Sequence, residues 1–504
     1  MSRYVSVMLS LLLISMLFSG VSFAGDSRFA PPLEDMVSVD NVKFHQRVLE
    51  NIADGNGGSR ASGNRGYDQS LSYIGFWLWV AGFDLKLQVF DFPYFEELSD
   101  PLMEQTLPDS VVYPPNDRAG FITMTYSGSG DVTAPVEAVD LLLPPAEEPN
   151  TSTSGCEPDD FTGFTAGNIA LLQRGGCSFY DKAMNAQNAG AVGVIIFNEG
   201  QVGRVDAFGG TLGQSDFTVP IVGANFNIGI ELSGLPGAEV RLTTDTISEI
   251  RETFNLIADT PGGDEKSTIM VGAHVDSVTA GPGINDNGSG TAAILETALK
   301  IGWLGKKYNN KVRFAFWGAE ELGLHGSEYY VANLTPEAFA NIRCYLNFDM
   351  IGSSNYVRFV YDGDGSDTDD AGPPGSELLE QFYVNYFDSL GLATEPTALD
   401  GRSDYAPFMD AGIPIAGLFT GAGGVKSEEE ALEYGGTAGI AYDPYYHTPD
   451  DTLANVNFEV TEQMLKAIAN SVETFASFPL PVSAVRAFRA QAYDFDYQGP
   501  KLRK

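Results

Sequence analysis

An apolar run, Ile269-Met-Val-Gly-Ala, ends in His274-Val-Asp276 and is followed by the glycine-rich loop Gly281-Pro-Gly-Ile-Asn-Asp286-Asn-Gly-Ser-Gly290. No other stretch constrains the fold as tightly. An apolar run without alternation needs cover on both faces, so it predicts a buried strand of a parallel sheet. Open α/β sheets place their chemistry beyond the carboxyl ends of such strands, which puts His274 and Asp286 at one rim. A neutral imidazole and a carboxylate are first-choice zinc ligands. Asp276 can hold the other ring nitrogen of His274 and fix its tautomer. The plain alternative is that Asp276 caps a turn and His274 is a satisfied strand-end histidine.

More strand ends of this kind follow. Val312–Trp317 reads as a buried strand running into Gly318-Ala319-Glu320-Glu321, and Cys344–Phe348 as another running into Asp349. His447 lies in a loop after Tyr446. Helices are expected at 289–304, 327–334, 376–390 and 459–475, with further strands at 356–361 and 414–418. This alternation implies an α/β fold with a mainly parallel central sheet and helices on both faces.

Adjacent glutamates at a strand end resist joint ionisation unless a positive charge compensates them. Two Zn2+ ions would supply it. Asp286 would bridge them, His274 and Asp349 would complete one site, and Glu321 and His447 the other. Glu320 is then free as general base for a bridging water. Of the four histidines, His45 on an amphipathic helix and His325 beside Gly326 read as structural or surface residues.

The five segments Gly272–Asp276, Asn285–Gly290, Gly318–Glu321, Asn347–Gly352 and Tyr446-His447 resemble, in order, the co-catalytic di-zinc aminopeptidases of metallopeptidase clan MH. The resemblance spans about 39–93 and 250–476. It implies the same metal roles, position by position. Asp400–Tyr405 and Leu418–Gly421 are similar to the secreted bacterial aminopeptidases, which implies that Arg402 orients the substrate's amino end. It also implies that Phe419 lines the specificity pocket and that Tyr446 stabilises the oxyanion. Each has a plainer reading: a partner for Asp400 or Asp404, a core ring, and a loop-packing ring.

Between these halves, strand-like pieces alternate with Gly, Pro and Ser clusters. The stretch Asn168–Phe179, with Arg174-Gly-Gly-Cys177-Ser-Phe179, and Gly190–Phe197 resemble the protease-associated domain, an accessory β-rich module. It carries no acid, base or metal cluster and reads as a lid or positioning module. The chain has three cysteines. Cys156 and Cys177 lie in this module, and an exported chain permits a bridge between them. Cys344 reads as a buried free thiol.

Export is expected from the start of the chain: Arg3, the apolar Val7–Phe18 and the small-x-small Ser22-Phe23-Ala24 form a secretory signal. No later run is long and apolar enough to span a bilayer. The expected division is a signal at 1–24, peptidase parts at 25–107 and 249–478, the protease-associated insert at 108–248, and a tail at 479–504. The net charge of -38 over 504 residues disfavours nucleic acid and anionic membranes as partners. It fits a solvated acidic surface or a saline habitat. The acidic run from Asp362 fails the EF-hand pattern, since its twelfth position is Pro373.

The expected protein is a secreted (alternatively periplasmic) aminopeptidase. It would act on peptides with a free N-terminus and favour large apolar first residues such as leucine. A carboxypeptidase-like peptidase would use the same metals, and Arg402 argues against it. A non-catalytic binding protein usually loses ligands, and a glutaminyl cyclase would use one zinc. The oligomeric state is not legible.

Overall fold

A computed structural model describes residues 31–478 apart from residue 369. The expected signal and tail lie outside these residues. The chain forms two compact units, one made of the described residues up to Phe90 and from Glu252 onward, the other of Asp91–Arg251. The sequence suggested joints at 107/108 and 248/249. The two compact units meet within long strands, Asp84–Leu107 and Glu239–Asp259. Pro93 and Pro101 break the sequence rhythm there, yet proline is tolerated in extended backbone wherever its missing N–H is not needed by a neighbour.

In the first unit the strand Asp264–His274 lies between Asn310–Trp317 and Ile342–Phe348, parallel to both. Ile342–Phe348 pairs in parallel with Ile415–Phe419. The flanks are mixed: Asn310–Trp317 pairs antiparallel with Glu239–Asp259, and so does Phe359–Tyr361 with Ile415–Phe419. His274 stands opposite Trp317, and Asn347 opposite Gly272. The register therefore brings the ends of three strands to one rim.

Side chains alternate across a strand. Ile269, Val271 and Ala273 pack in one buried cluster, with Leu295, Leu299, Met464 and Ile468. Met270 packs in the other, with Trp317, Tyr345 and Phe408. Two apolar layers explain the unbroken apolar run. The helix Gly288–Leu304 is buried nearly all round, which its apolar composition on every face requires. Its first turn is capped by the Asn287 side chain, which accepts from Gly290 N–H at 2.9 Å. A Cβ on Gly290 would collide with the Phe348 carbonyl. Glycine there lets the helix start close against the rim.

The second unit holds parallel strands Gly130–Ala138, Ile169–Gln173, Gly193–Phe197 and Ile221–Ala224. The helices Phe179–Asn188 and Phe226–Gly234 belong to it too. Gly130–Ala138 and the second helix were not anticipated; polar and proline-containing sequence hides the first, and a short apolar run without caps on both ends hides the second. Ser178 caps Phe179–Asn188, accepting from Asp181 N–H at 3.1 Å. Cys156 and Cys177 form a disulfide, while Cys344 is buried and free. Among the described residues no helix is long and apolar enough to cross a membrane.

The disulfide joins cysteines 21 positions apart, a loop whose closure constrains the unfolded chain by about 3 kcal/mol. Replacing both cysteines by serine should lower the thermal stability of the second unit by about that amount. Unchanged calorimetric unfolding would contradict this.

Candidate metal centre

Six acidic or imidazole side chains converge where the strands end. His274 Nε2 lies 3.3 Å from Asp286 Oδ1 and 3.3 Å from Asp349 Oδ1. His447 Nε2 lies 3.1 Å from Asp286 Oδ2 and 2.9 Å from Glu321 Oε2. The two oxygens of Asp286 thus face two different imidazoles. Glu320 Oε2 stands 3.8 Å from His274 Nε2. His274, Asp286, Glu320, Glu321 and Asp349 are all buried.

The separations are informative. Zinc bonds of about 2.1 Å in a tetrahedron put neighbouring ligand atoms about 3.4 Å apart. Charge-assisted hydrogen bonds run shorter, near about 2.8 Å. The two separations at His274, both 3.3 Å, fit the tetrahedral edge better. His274 Nε2, Asp349 Oδ1 and Glu321 Oε1 are moreover buried without any hydrogen-bond partner. A buried unpaired polar atom is costly, more so when charged. A cation between these atoms removes the cost, so the donor set fits zinc.

The backbone is shaped to the same end. Ala319, Met350 and His447 adopt left-handed conformations, with φ of 56°, 50° and 59°. Such residues are sparse and strained, and they persist where surroundings hold them. Each belongs to the rim or stands beside a residue of it.

The carboxylates dominate the electrostatics. Burial alone would lower the pKa of His447, but Glu321 and Asp286 outweigh it and raise it to about 10. Burial would also lower His274, and Glu320 and Asp349 raise it well above its ordinary value. Glu320 is itself pushed well up by burial, with Glu321, Asp349 and Asp404 adding to the shift against His274. Burial likewise lifts Asp404 to about 7.

One expectation needs correction. Asp276 was expected to hold His274 Nδ1 with its carboxylate. The hydrogen-bond partner of Nδ1 is instead the Asp276 carbonyl oxygen at 3.1 Å, and the carboxylate stands off at 3.7 Å. That carboxylate accepts from the N–H groups of Glu320 and Glu321, at 3.3 and 3.4 Å.

Tyr446 stacks on the His447 ring, centroids 3.8 Å apart. Burial raises the Tyr446 pKa, with Asp286, Glu321 and Glu320 adding to it, so its hydroxyl keeps its proton. Arg402 is exposed, its N–H donating to Asp400 Oδ1 at 3.2 Å. Phe419 is half-buried and stacks on Phe359 at 5.9 Å. His45 bonds Tyr73 at 2.7 Å, and His325 sits 3.7 Å from Glu328. The Asp362 carboxylate accepts from four loop N–H groups, those of Gly365, Ser366, Asp367 and Thr368, which makes it the organiser of a turn.

Other contributors were not singled out by the sequence. Ser403 donates to Asp349 Oδ2 at 2.6 Å, leaving Oδ1 to face His274. Asn347, Tyr345 and Trp317 continue that chain of hydrogen bonds at 2.8, 2.9 and 2.8 Å. Arg60 is fully buried behind the rim and donates to the carbonyls of Val275, Pro282 and Gly283. Nothing local in the sequence marks these residues, because their partners are far away along the chain.

The chain is similar to known peptidases. The model of peptidase family M28 matches residues 255–472, and that of the PA domain matches 132–232. An aminopeptidase of Pseudomonas aeruginosa is 46% identical over 436 residues, covering 86% of this chain and 80% of its own. A probable leucine aminopeptidase 2 of Aspergillus oryzae is 44% identical over 362 residues, 70% of this chain and 69% of its own. Among solved structures, an aminopeptidase from Aneurinibacillus sp. strain AM-1 superposes with a TM-score of 0.66 at 25% identity, over 88% of this chain and 95% of its own. A zinc aminopeptidase from Bacillus subtilis shares the fold, with a TM-score of 0.59 at 24% identity over 89% and 98%.

The raised His447 pKa sets a sign for the metal-free protein. A histidine holding its proton up to about pH 10 when folded, against about 6.5 when unfolded, stabilises fully below pH 6.5. That stabilisation is lost as the pH rises toward 10. Melting temperature in excess chelator should therefore fall across this window. A flat or rising profile would contradict the electrostatic account.

Proposed function

The chain belongs to peptidase family M28 and carries a PA domain, and from that premise we propose that it is an exported aminopeptidase using two zinc ions. It is a hydrolase of peptide bonds, as its aminopeptidase relatives are named. The observation that supports the metal reading is the set of buried, unpaired ligand atoms on either side of Asp286. His274 and Asp349 would hold one ion, His447 and Glu321 the other, with Asp286 shared. When bound, two such ions polarise a carbonyl and lower the pKa of a water.

The remaining residues take roles by position. Glu320 adjoins a ligand without joining the Asp286 pair, and its backbone is fixed by Asp276. It accepts the proton of the attacking water and returns it to the leaving amine. The Tyr446 hydroxyl, protonated and beside His447, donates to the oxyanion. Arg402 helps orient the substrate's amino end, and Phe419 lines an apolar pocket for a first residue such as leucine. The chain begins with a signal at 1–24, and residues 108–248 form an insert between peptidase parts at 25–107 and 249–478.

A free N-terminal ammonium finds partners in this acidic rim. An acetylated end would leave buried carboxylates unmatched, at a cost of a few kcal/mol, roughly. A leucyl peptide with a free end should be cleaved and its acetylated twin spared. Comparable cleavage of both would sink the aminopeptidase reading, and release of the C-terminal residue would favour the carboxypeptidase alternative.

Glu320→Gln should lower kcat by about 10²–10⁴-fold, the usual worth of a general base, with zinc content unchanged. Glu321→Gln should instead weaken one zinc. Equal metal loss in both variants, measured by elemental analysis after dialysis, would contradict this division of roles.

A further inference from the structure

Two parts of the rim are held by the same device. The Asp276 carboxylate accepts from the successive N–H groups of Glu320 and Glu321. Across the site, Asp451 does the same for another ligand. Its Oδ1 accepts from Asn285 N–H at 2.7 Å and its Oδ2 from Asp286 N–H at 3.0 Å. In both cases a carboxylate clasps the backbone of a metal-facing residue and of its predecessor. The ligand's side chain stays free.

Asp451 is buried, 3% exposed, and its own backbone is fixed. Its carbonyl accepts from Ile284 N–H at 3.1 Å, and its N–H donates to Thr448 at 3.2 Å. Three hydrogen bonds thus join the segment just after His447 to the segment ending at Asp286. These two ligands come from loops far apart in sequence, yet their facing atoms stand 3.1 Å apart. The Asp286 loop is held from other sides as well. Asp443 accepts from the Asn285 side chain at 2.5 Å, and Arg60 donates to Pro282 and Gly283 at 2.9 and 2.5 Å.

We propose that Asp451 is a positioning residue for the shared ligand: it aims the Asp286 carboxylate between His274 and His447, and so sets zinc affinity without touching substrate. This rests on the zinc reading above. The clasp explains why a carboxylate, a costly group to bury, sits beside an already acidic site. Two successive N–H groups aimed at one point call for an acceptor with two oxygens, and an amide side chain offers only one.

The test compares wild type with Asp451→Asn, both stripped of metal and titrated with zinc against a chromophoric chelator. Replacing a group that orients a ligand typically weakens metal binding about 10–100-fold, and that loss is expected here. At limiting zinc the variant should lose kcat toward a leucyl peptide with KM unchanged, and excess zinc should restore kcat. A role confined to stability would not produce rescue by metal. Unaltered zinc affinity, or lost activity that excess zinc leaves lost, overturns the proposal. If Asp451→Asn does not fold, Asp451→Glu decides on the same scale, since it keeps the charge but displaces the two oxygens. A wild-type chain that takes up no zinc overturns the zinc reading and this proposal with it. Wild-type uptake with indifferent variants overturns this proposal alone.

Discussion

Negative charge packed at the end of a buried sheet is the constraint on which the rest depends. Oxygens of Asp286 and Glu321 lie within 4.8 Å of each other around His274, and so do those of Glu320 and Asp349. Two ionised carboxylates at that distance repel by roughly 3–4 kcal/mol at an effective dielectric of 20. Burial adds a desolvation cost to each. No arrangement of imidazoles alone cancels this, because a histidine that neutralises one carboxylate leaves the others. The buried Arg60 guanidinium behind the rim is turned to backbone carbonyls. The rim is built for cations supplied from outside the chain.

The surroundings keep the ligands apart and aimed. Parallel pairing sets His274 beside Trp317 and so fixes where Gly318–Glu321 begins. The Asp276 and Asp451 carboxylates hold the backbone N–H groups of Glu321 and Asp286, and the hydrogen bond from Ser403 fixes the Asp349 oxygen that does not face His274. Left-handed residues at Ala319, Met350 and His447 make the sharp turns that this requires. Sheet, buried helix and clasped loops together hold the converging side chains in place.

Much of this was legible because motif and element coincide. Ile269–Ala273 declares a strand with both faces covered, and His274, Glu320-Glu321 and Asp349 each follow such a strand directly. The side chains that meet at the rim are those the order of motifs suggested. What was not legible depends on distant pairing. Arg60, Ser403 and Asp451 are ordinary residues in sequence, and only folding brings them to carbonyls, a ligand oxygen and a ligand's backbone. The Asp276 carboxylate was aimed wrongly for the same reason: its partners, Glu320 and Glu321, lie more than forty positions on. Prolines in Asp84–Leu107 interrupt the sequence pattern without interrupting the strand, which hides its full length.

The most direct test is crystallographic. Anomalous difference density collected at the zinc edge should show two peaks flanking the Asp286 carboxylate, about 3.5–4 Å apart as in other two-metal sites. One should touch His274 and Asp349, the other His447 and Glu321. A single peak, or peaks that bypass Asp286, would contradict the account.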